Sequence, residues 1–467
     1  MMFQSIIGLI FPTSGANRSR KRKKRKAKGA ERVSASTFTP GGLDGHSGIP
    51  SILIADFDKD SGTQMTARVA NILSQSEGFE VFRAKKTLKL GKKGALVDQL
   101  YAAFEEGRAW LGQEGADLLL WGETEGNSTT IRFIPAVPVS DSQPGAFGMG
   151  DVLYLPPSLE GGLDSALIVS VLASIGTGFR GGRTRLGETL NTHLQGVKHF
   201  IQEKPGGMGD EHYAALLTSI GNGFAAHSAL GGSPKRLGHA AAAYKVAIKQ
   251  IKPEDSPVIW ALAQSHLAAA LRARGDKEKD QDILKEAAST YGRITESLSR
   301  VDQPFDWALA QVNKGLVLYR IGALTGRAAY YQDSSKSFEE SLGIYTKDLM
   351  PGKWAEVTNQ YGVVLMTLGE LVTGNVTLEL AVKRFRMALE VRKRDRVPLL
   401  WAQTANNLGA ACFALAKRNS EVALLREAVS CFEGAVEVYK GSGEMKKAEI
   451  ISNNLSRVQR LLTTRGG

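Results

Sequence analysis

PVIWALAQSHLAAA (257–270), PFDWALAQVNKGLV (304–317), PGKWAEVTNQYGVV (351–364) and PLLWAQTANNLGAA (398–411) are four copies of one pattern, each beginning 47 residues after the last. The four tryptophans that mark them, Trp260, Trp307, Trp354 and Trp401, are taken from only 6 in the whole chain. Counting back one more period reaches Tyr213, an aromatic in the same column. A fixed repeat of roughly 20–50 residues is the mark of a solenoid, in which each unit buries its apolar face against its neighbours.

Other columns run in phase with the tryptophans. Ala214, Ala261, Ala308, Ala355 and Ala402 follow the column heads directly. Eight residues after each head stands a small residue: Gly221, Ala268, Gly315, Gly362 and Gly409. A second aromatic column holds Tyr244, Tyr291, Phe338, Phe385 and Phe432, with Ala240, Ala287, Ala381 and Ala428 four residues before all but Phe338. Pro257, Pro304, Pro351 and Pro398 precede the tryptophans by three. Proline lacks an N–H and has a fixed φ, so it suits the first turn of a helix. Each Pro-x-x-Trp therefore marks the start of a first helix, and the later aromatic faces back from a second one. Two helices of ~18 residues with short loops fill the period. The pattern fades after Lys447, where Ala448 takes the aromatic position, as a terminal capping helix requires.

These columns resemble the tetratricopeptide repeat, through Leu408-Gly409 on the first helix and Ala428, Phe432 and Ala435 on the second. The standard unit has about 34 residues, so the resemblance is to bacterial long-unit tetratricopeptide proteins with WAxTQNNLG-like repeats, of which WAQTANNLGAA (401–411) is the nearest copy. It implies an all-α solenoid that docks protein partners.

Ahead of the repeats the chain reads differently. SILIADF (51–57), FEVFRA (79–84), DLLLWGE (117–123), TIRFIPA (130–136) and VLYL (152–155) are strand-like runs. Helical spacing links Val69, Ile72 and Leu73, and again Leu96, Leu100, Phe104 and Leu111; Ser61 or Thr63 is the expected cap of the first helix. The order β-α-β-α-β-β predicts a small mixed-sheet α/β domain, which weakly resembles the amino-terminal domain of TolB-type proteins. The expected organisation is a disordered basic tail (1–48), the α/β domain (49–157), a helical connector (158–212), five helix-turn-helix repeats (213–447) and a capping helix (448–467). The fold class is thus a two-domain chain, a small α/β domain followed by an α-helical solenoid.

The formal charge of +12 is concentrated, since nine cations lie between Arg18 and Lys28 and the remainder is left near +3. Such a run repels itself and stays unfolded. Its contacts with nucleic acid would be nonspecific and salt-sensitive, and beside MMFQSIIGLIF (1–11) it forms a pair of weak membrane signals. A solvated tail that aids solubility is the plain alternative. The charge follows the apolar run, the reverse of a secretory signal. Two cysteines, Cys412 and Cys431, give no disulfide framework. Cytoplasmic residence is expected, with the tail allowing a peripheral place at the inner membrane.

Three motifs invite a catalytic reading. Asp56, Asp58 and Asp60 end the first strand, where haloacid-dehalogenase-like phosphotransferases place an Asp-x-Asp around Mg²⁺. No acidic pair follows on later strands, and a polar capping loop explains the run as well. Gly176-Thr177-Gly178-Phe179-Arg180-Gly181 spells a dinucleotide fingerprint but follows a helix-like stretch, which favours a flexible break. The histidines show no metal-ligand spacing. No cofactor, metal or small-molecule substrate is expected. The remaining candidate is the inner face of the solenoid, where a polar column two places before the small residue carries Ser219, His266, Asn313, Gln360, Asn407 and Asn454. Amides in a groove can bond a partner's backbone; equally, they can tie adjacent helices together. The cations that clamp a carboxyl terminus in related repeats are absent, since Leu262, Leu309, Glu356 and Gln403 stand there. The expected function is a non-catalytic scaffold that binds a peptide or helix, with Mg²⁺-dependent phosphotransfer or tail-directed surface binding as the alternatives.

Overall fold

The computed structural model describes residues 31–32, 49–91, 95–137, 143–176, 179 and 182–466. Two compact units divide them, one running through Leu298 and the other starting at Ser299. The basic run, the apolar amino terminus and most of the Gly176–Gly181 motif lie outside the described residues.

The first unit opens with a mixed sheet of order β1-β3-β2-β4-β5-β6. Its strands are β1 (Glu31–Arg32), β2 (Ser51–Ile54), β3 (Glu80–Arg83), β4 (Leu118–Glu125), β5 (Ser128–Pro135) and β6 (Val152–Leu155). β2 pairs in parallel with β3 and β4, and the other pairings are antiparallel. A central parallel strand is buried on both faces, which is why Ile52, Leu53 and Ile54 form an unbroken apolar run with at most 1% exposure. Helices α1 (Gln64–Gln75) and α2 (Leu96–Glu114) make the connections between the parallel strands. The start of α1 differs from expectation. Neither Ser61 nor Thr63 caps it; the Asp60 carboxylate accepts from the backbone N–H of Met65 (3.1 Å) and Thr66 (2.8 Å) instead.

After the sheet comes α3 (Leu163–Ile175), in which eleven of thirteen residues are buried. Its sequence is apolar on every side because it packs between β4–β6 and the helices α4 (Arg183–Val197) and α5 (Asp210–Ala229). The stretch read as a connector thus supplies a core helix. Two helix pairs complete the unit: α5 with α6 (Arg236–Gln250), and α7 (Pro257–Glu278) with α8 (Gln281–Ser297).

Among its described residues the second unit holds helices and their connections but no strand. It holds α9 (Pro304–Thr325), α10 (Ala328–Leu342), α11 (Pro351–Leu371), α12 (Val376–Val391), α13 (Pro398–Asn419), α14 (Val422–Gly441) and the closing α15 (Met445–Gly466). Each packs on the next in chain order. Pro257, Pro304, Pro351 and Pro398 open their helices at the first turn, as their chemistry demands. The pairs are unequal. First helices span 20–22 residues and second helices 15–20, so the extra length of the unit lies mainly in the first.

The small column explains how the pairs close. A Cβ at Gly221 would lie 2.4 Å from the Tyr244 ring, at Gly362 2.7 Å from Phe385, and at Gly315 and Gly409 3.0 Å from Phe338 and Phe432. Each ring from the second helix rests on bare backbone of the first. Tyr244, Tyr291, Phe338, Phe385 and Phe432 are at most 1% exposed, and burial of such a side chain contributes about 1.5–3 kcal/mol. In the one pair without the helix-two alanine, Ser334 donates its hydroxyl to the Gly315 carbonyl at 2.7 Å, so the exception is satisfied locally.

Candidate functional site

The polar column two places before the small residue lies on the first helices, at one position per repeat. Ser219, His266 and Asn313 are buried, while Gln360, Asn407 and Asn454 are half-buried. Their surroundings differ between the two units.

In the first unit the column leads to a buried polar hub. Asp151, just ahead of β6, is 4% exposed. Its Oδ1 accepts from His266 Nε2 on α7 at 2.8 Å and from Asn222 Nδ2 on α5 at 3.3 Å. Its Oδ2 accepts from the Gly148 N–H at 2.7 Å. Asn222 in turn accepts from the Tyr244 hydroxyl on α6 at 2.7 Å, and the Tyr244 ring lies nearly parallel to His266 at 5.7 Å. Burial, then the Asp151 charge, push the Tyr244 phenol well above its ordinary range, so it stays a donor. One carboxylate at the sheet therefore gathers three helices. Because Nε2 faces a carboxylate acceptor, a neutral His266 carries its proton there, leaving Nδ1 as an acceptor.

In the second unit amides on the first helices join neighbouring helices. Asn407 Nδ2 donates to Asn359 Oδ1 at 3.2 Å, a tie between α13 and α11. Gln311 Nε2 donates to Glu340 at 2.6 Å, which joins α9 to α10. Gln360 Oε1 and Gln311 Oε1 are sealed from solvent without a hydrogen-bond partner among the described residues. A buried acceptor left unmet costs about 1–3 kcal/mol.

The other sequence candidates are otherwise engaged. Asp56 pairs with Arg83 at 2.5 Å and Asp58 with Lys89 at 2.6 Å, while Asp60 caps α1. The Lys89 hydrogen bond and charge hold Asp58 below the usual carboxylate range, with burial opposing. The three carboxylates thus point to separate partners rather than to one shared ion. Among the described residues no group of three or more His, Cys, Asp or Glu could hold a metal, and no helix is long and apolar enough to cross a membrane. In the same unit a cleft of about 750 Å³ opens between β6 and α5, with His212 lying flat on Tyr154 at 4.3 Å.

Cys412 and Cys431 lie together beside the two-pronged Arg386–Glu427 ion pair (3.0 and 2.6 Å). Burial, then the Glu427 charge, push the Cys431 thiol up to about 12, and Cys412 moves in the same direction. The reactive thiolate is therefore suppressed. Neither thiol should be alkylated by iodoacetamide at pH 8 while the chain is folded, whereas both should react in denaturant; rapid labelling of the native protein would contradict the burial. With both values raised, their contribution to stability is complete below the ordinary thiol value of about 8.5 and is lost as pH climbs toward about 12. A double replacement by alanine should flatten that alkaline loss in thermal melts.

One column escaped the sequence reading although its signal was present. Seven residues before the tryptophans stand Arg300, Lys347 and Arg394, again 47 apart. Their cationic groups lie 5.0, 5.8 and 5.2 Å from the rings of Trp307, Trp354 and Trp401. Trp260, Trp307 and Trp354 are 7–8% exposed, while Trp401 is half-buried with its ring against Gly434. The Asp151 hub had no such signal, since its partners are 71 and 115 residues away.

No family model matches the chain, and no curated protein matches it. Solved structures similar to it include a Rap protein complexed with competence and sporulation factor, at 11% identity and TM-score 0.32, covering 65% of this chain and 77% of that one. Another is BtubC from P. vanneervenii, at 17% identity and TM-score 0.30 over 49% and 92% of the two chains. The tetratricopeptide domain of P58(IPK) is similar at 12% identity and TM-score 0.10 over 65% and 99%. At TM-scores this low, the helical-repeat architecture stands on the chain's own periodicity and helix pairing.

Proposed function

We propose that the chain is a non-catalytic interaction scaffold whose first-helix faces take a peptide or helix of a protein partner. The observation that carries this reading is the polar column itself, since Gln360 on α11, Asn407 on α13 and Asn454 on α15 are half-buried and so partly open to a partner. Together with Asn313 they offer amides at one-repeat intervals. Amides both donate and accept, so they bond a backbone with little regard to its sequence. The proposed organisation keeps the α/β domain, the repeats and the capping helix as distinct parts, with the tail ahead of them as a further contact.

The bait for a test is the full chain, because α3 and Asp151 support the first repeats. Affinity capture followed by quantitative mass spectrometry should recover a defined set of proteins. Asn313→Ala, Asn407→Ala and Asn454→Ala combined should reduce recovery by about tenfold or more, given roughly 0.5–1.5 kcal/mol per hydrogen bond. Unchanged recovery with a folded triple variant would remove the groove from the proposal.

A further inference from the structure

The junction of α4, α5 and α6 in the first unit collects positive groups at a place where helices ordinarily carry negative ones. Arg236 is the first residue of α6 and His239 lies in the same opening turn; Lys235 is the N-cap and makes no side-chain cap. No acidic residue occupies that turn. A helix start carries partial positive charge and favours anions, so Lys235 and Arg236 add to the field instead of offsetting it.

The side chains are held in place. The Arg236 guanidinium sits over the Phe224 ring at 5.5 Å and donates to Asn191 Oδ1 on α4. The His239 ring is 5.3 Å from the same phenylalanine. His227, in the last turn of α5, completes the group, and Lys198 follows the end of α4. Among the described residues no carboxylate pairs with Arg236, His227, His239 or Lys198. The Nδ1 atoms of His227 and His239 are buried without a partner. Burial, then the Arg236 charge, hold His227 below its ordinary value; for His239 the causes are burial, then Lys198, then Arg236. Capping of the α5 carboxyl end does not explain Arg236. That role falls to Arg183, which donates to the Ala229 carbonyl at 3.4 Å, while Arg236 is turned to Asn191 and Phe224.

We propose that this junction is a binding site for a phosphoryl oxyanion, with Arg236 as its anchor and the His227 and His239 rings beside it. A guanidinium presents five N–H donors in a planar fork that matches phosphate oxygens, and among the described residues Asn191 is its one hydrogen-bond acceptor. An anion would also offset the positive charges of Arg236 and Lys198, both of which act on His239. The same chemistry is offered by free phosphate and by a phosphorylated side chain on a peptide.

The test is a titration of the full chain followed by histidine Cε1–H NMR signals, which are assignable by single substitution because the chain has 7 histidines. Sodium phosphate is the probe, with sodium chloride at equal ionic strength as control and a phosphoserine peptide as a second arm. Saturable shifts at His227 and His239 with phosphate but not chloride support the site. Arg236→Gln should then weaken binding about tenfold or more, and Arg394→Gln in the second unit should not. Should Arg236→Gln fail to fold by circular dichroism, Arg236→Lys keeps the charge but not the fork, and a several-fold loss is expected. Non-saturating shifts, or equal affinity in wild type and the Arg236 variant that folds, would overturn the proposal. The tighter of the two phosphate arms identifies the source.

Discussion

Replacing Asp151 with alanine should destabilise the first unit by about 3–5 kcal/mol, the range for removing one partner from a buried charged network. The residue is 4% exposed, and its loss leaves three donors without their acceptor: His266 Nε2, Asn222 Nδ2 and the Gly148 N–H. Each buried donor left unmet costs about 1–3 kcal/mol, so the sum agrees with that range after partial relaxation. Asp151→Asn should cost less, because one oxygen still accepts while the new NH₂ opposes a donor. Urea unfolding of the full chain, read at the transition of the first unit, is the measurement. A loss under about 1 kcal/mol would mean that water replaces the carboxylate and that the hub does not hold the helices to the sheet.

Trp354→Ala should cost the second unit about 3–5 kcal/mol, the usual toll of deleting a buried aromatic ring. Its ring is 8% exposed on α11, with the Lys347 ammonium 5.8 Å from its centre. These two contributions can be separated by magnitude. A cation over an aromatic face is worth roughly 0.5–1 kcal/mol where solvent reaches it, so Lys347→Ala should cost several times less than Trp354→Ala. Equal losses in denaturant melts would show that the cation, and not the buried ring, is the stabilising feature of the column. Trp401→Ala should fall between them, since that ring is only half-buried.

Much of this architecture was legible because a solenoid writes its contacts at one spacing. The ring at position 385 meets the glycine at 362, and the same offset recurs at 338 with 315 and at 432 with 409. Local rules also held at the helix starts, where proline chemistry acts within one turn. The cation seven residues ahead of Trp307, Trp354 and Trp401 obeys the same period, while Pro253 stands at that place ahead of Trp260. Ser61 and Thr63 are closer to the start of α1, yet the longer reach of the Asp60 carboxylate meets two N–H groups at once and makes it the cap. The Asp56-Asp58-Asp60 run could not be interpreted from order alone. Its meaning depends on Arg83 and Lys89, which strand pairing brings to Asp56 and Asp58.

The polar column shows the same division. Its membership follows from counting, but what each member does follows from its neighbours. His266 is bound to Asp151 across 115 residues, Asn407 to Asn359 one helix pair away, and Gln360 retains an unmet oxygen. The sequence by itself determined the repeat, its helix pairs, the strand and helix order of the front domain, and the residues that fill the helix interfaces. All of these rest on interactions that are local or recur at a constant interval. Only the tertiary structure decided that α3 is core, that the compact units divide after Leu298, that Asp151 gathers α5, α6 and α7, and that positive charge collects at the start of α6. Those outcomes depend on groups far apart in the chain with no shared period, and folding alone brings them within hydrogen-bonding or electrostatic reach.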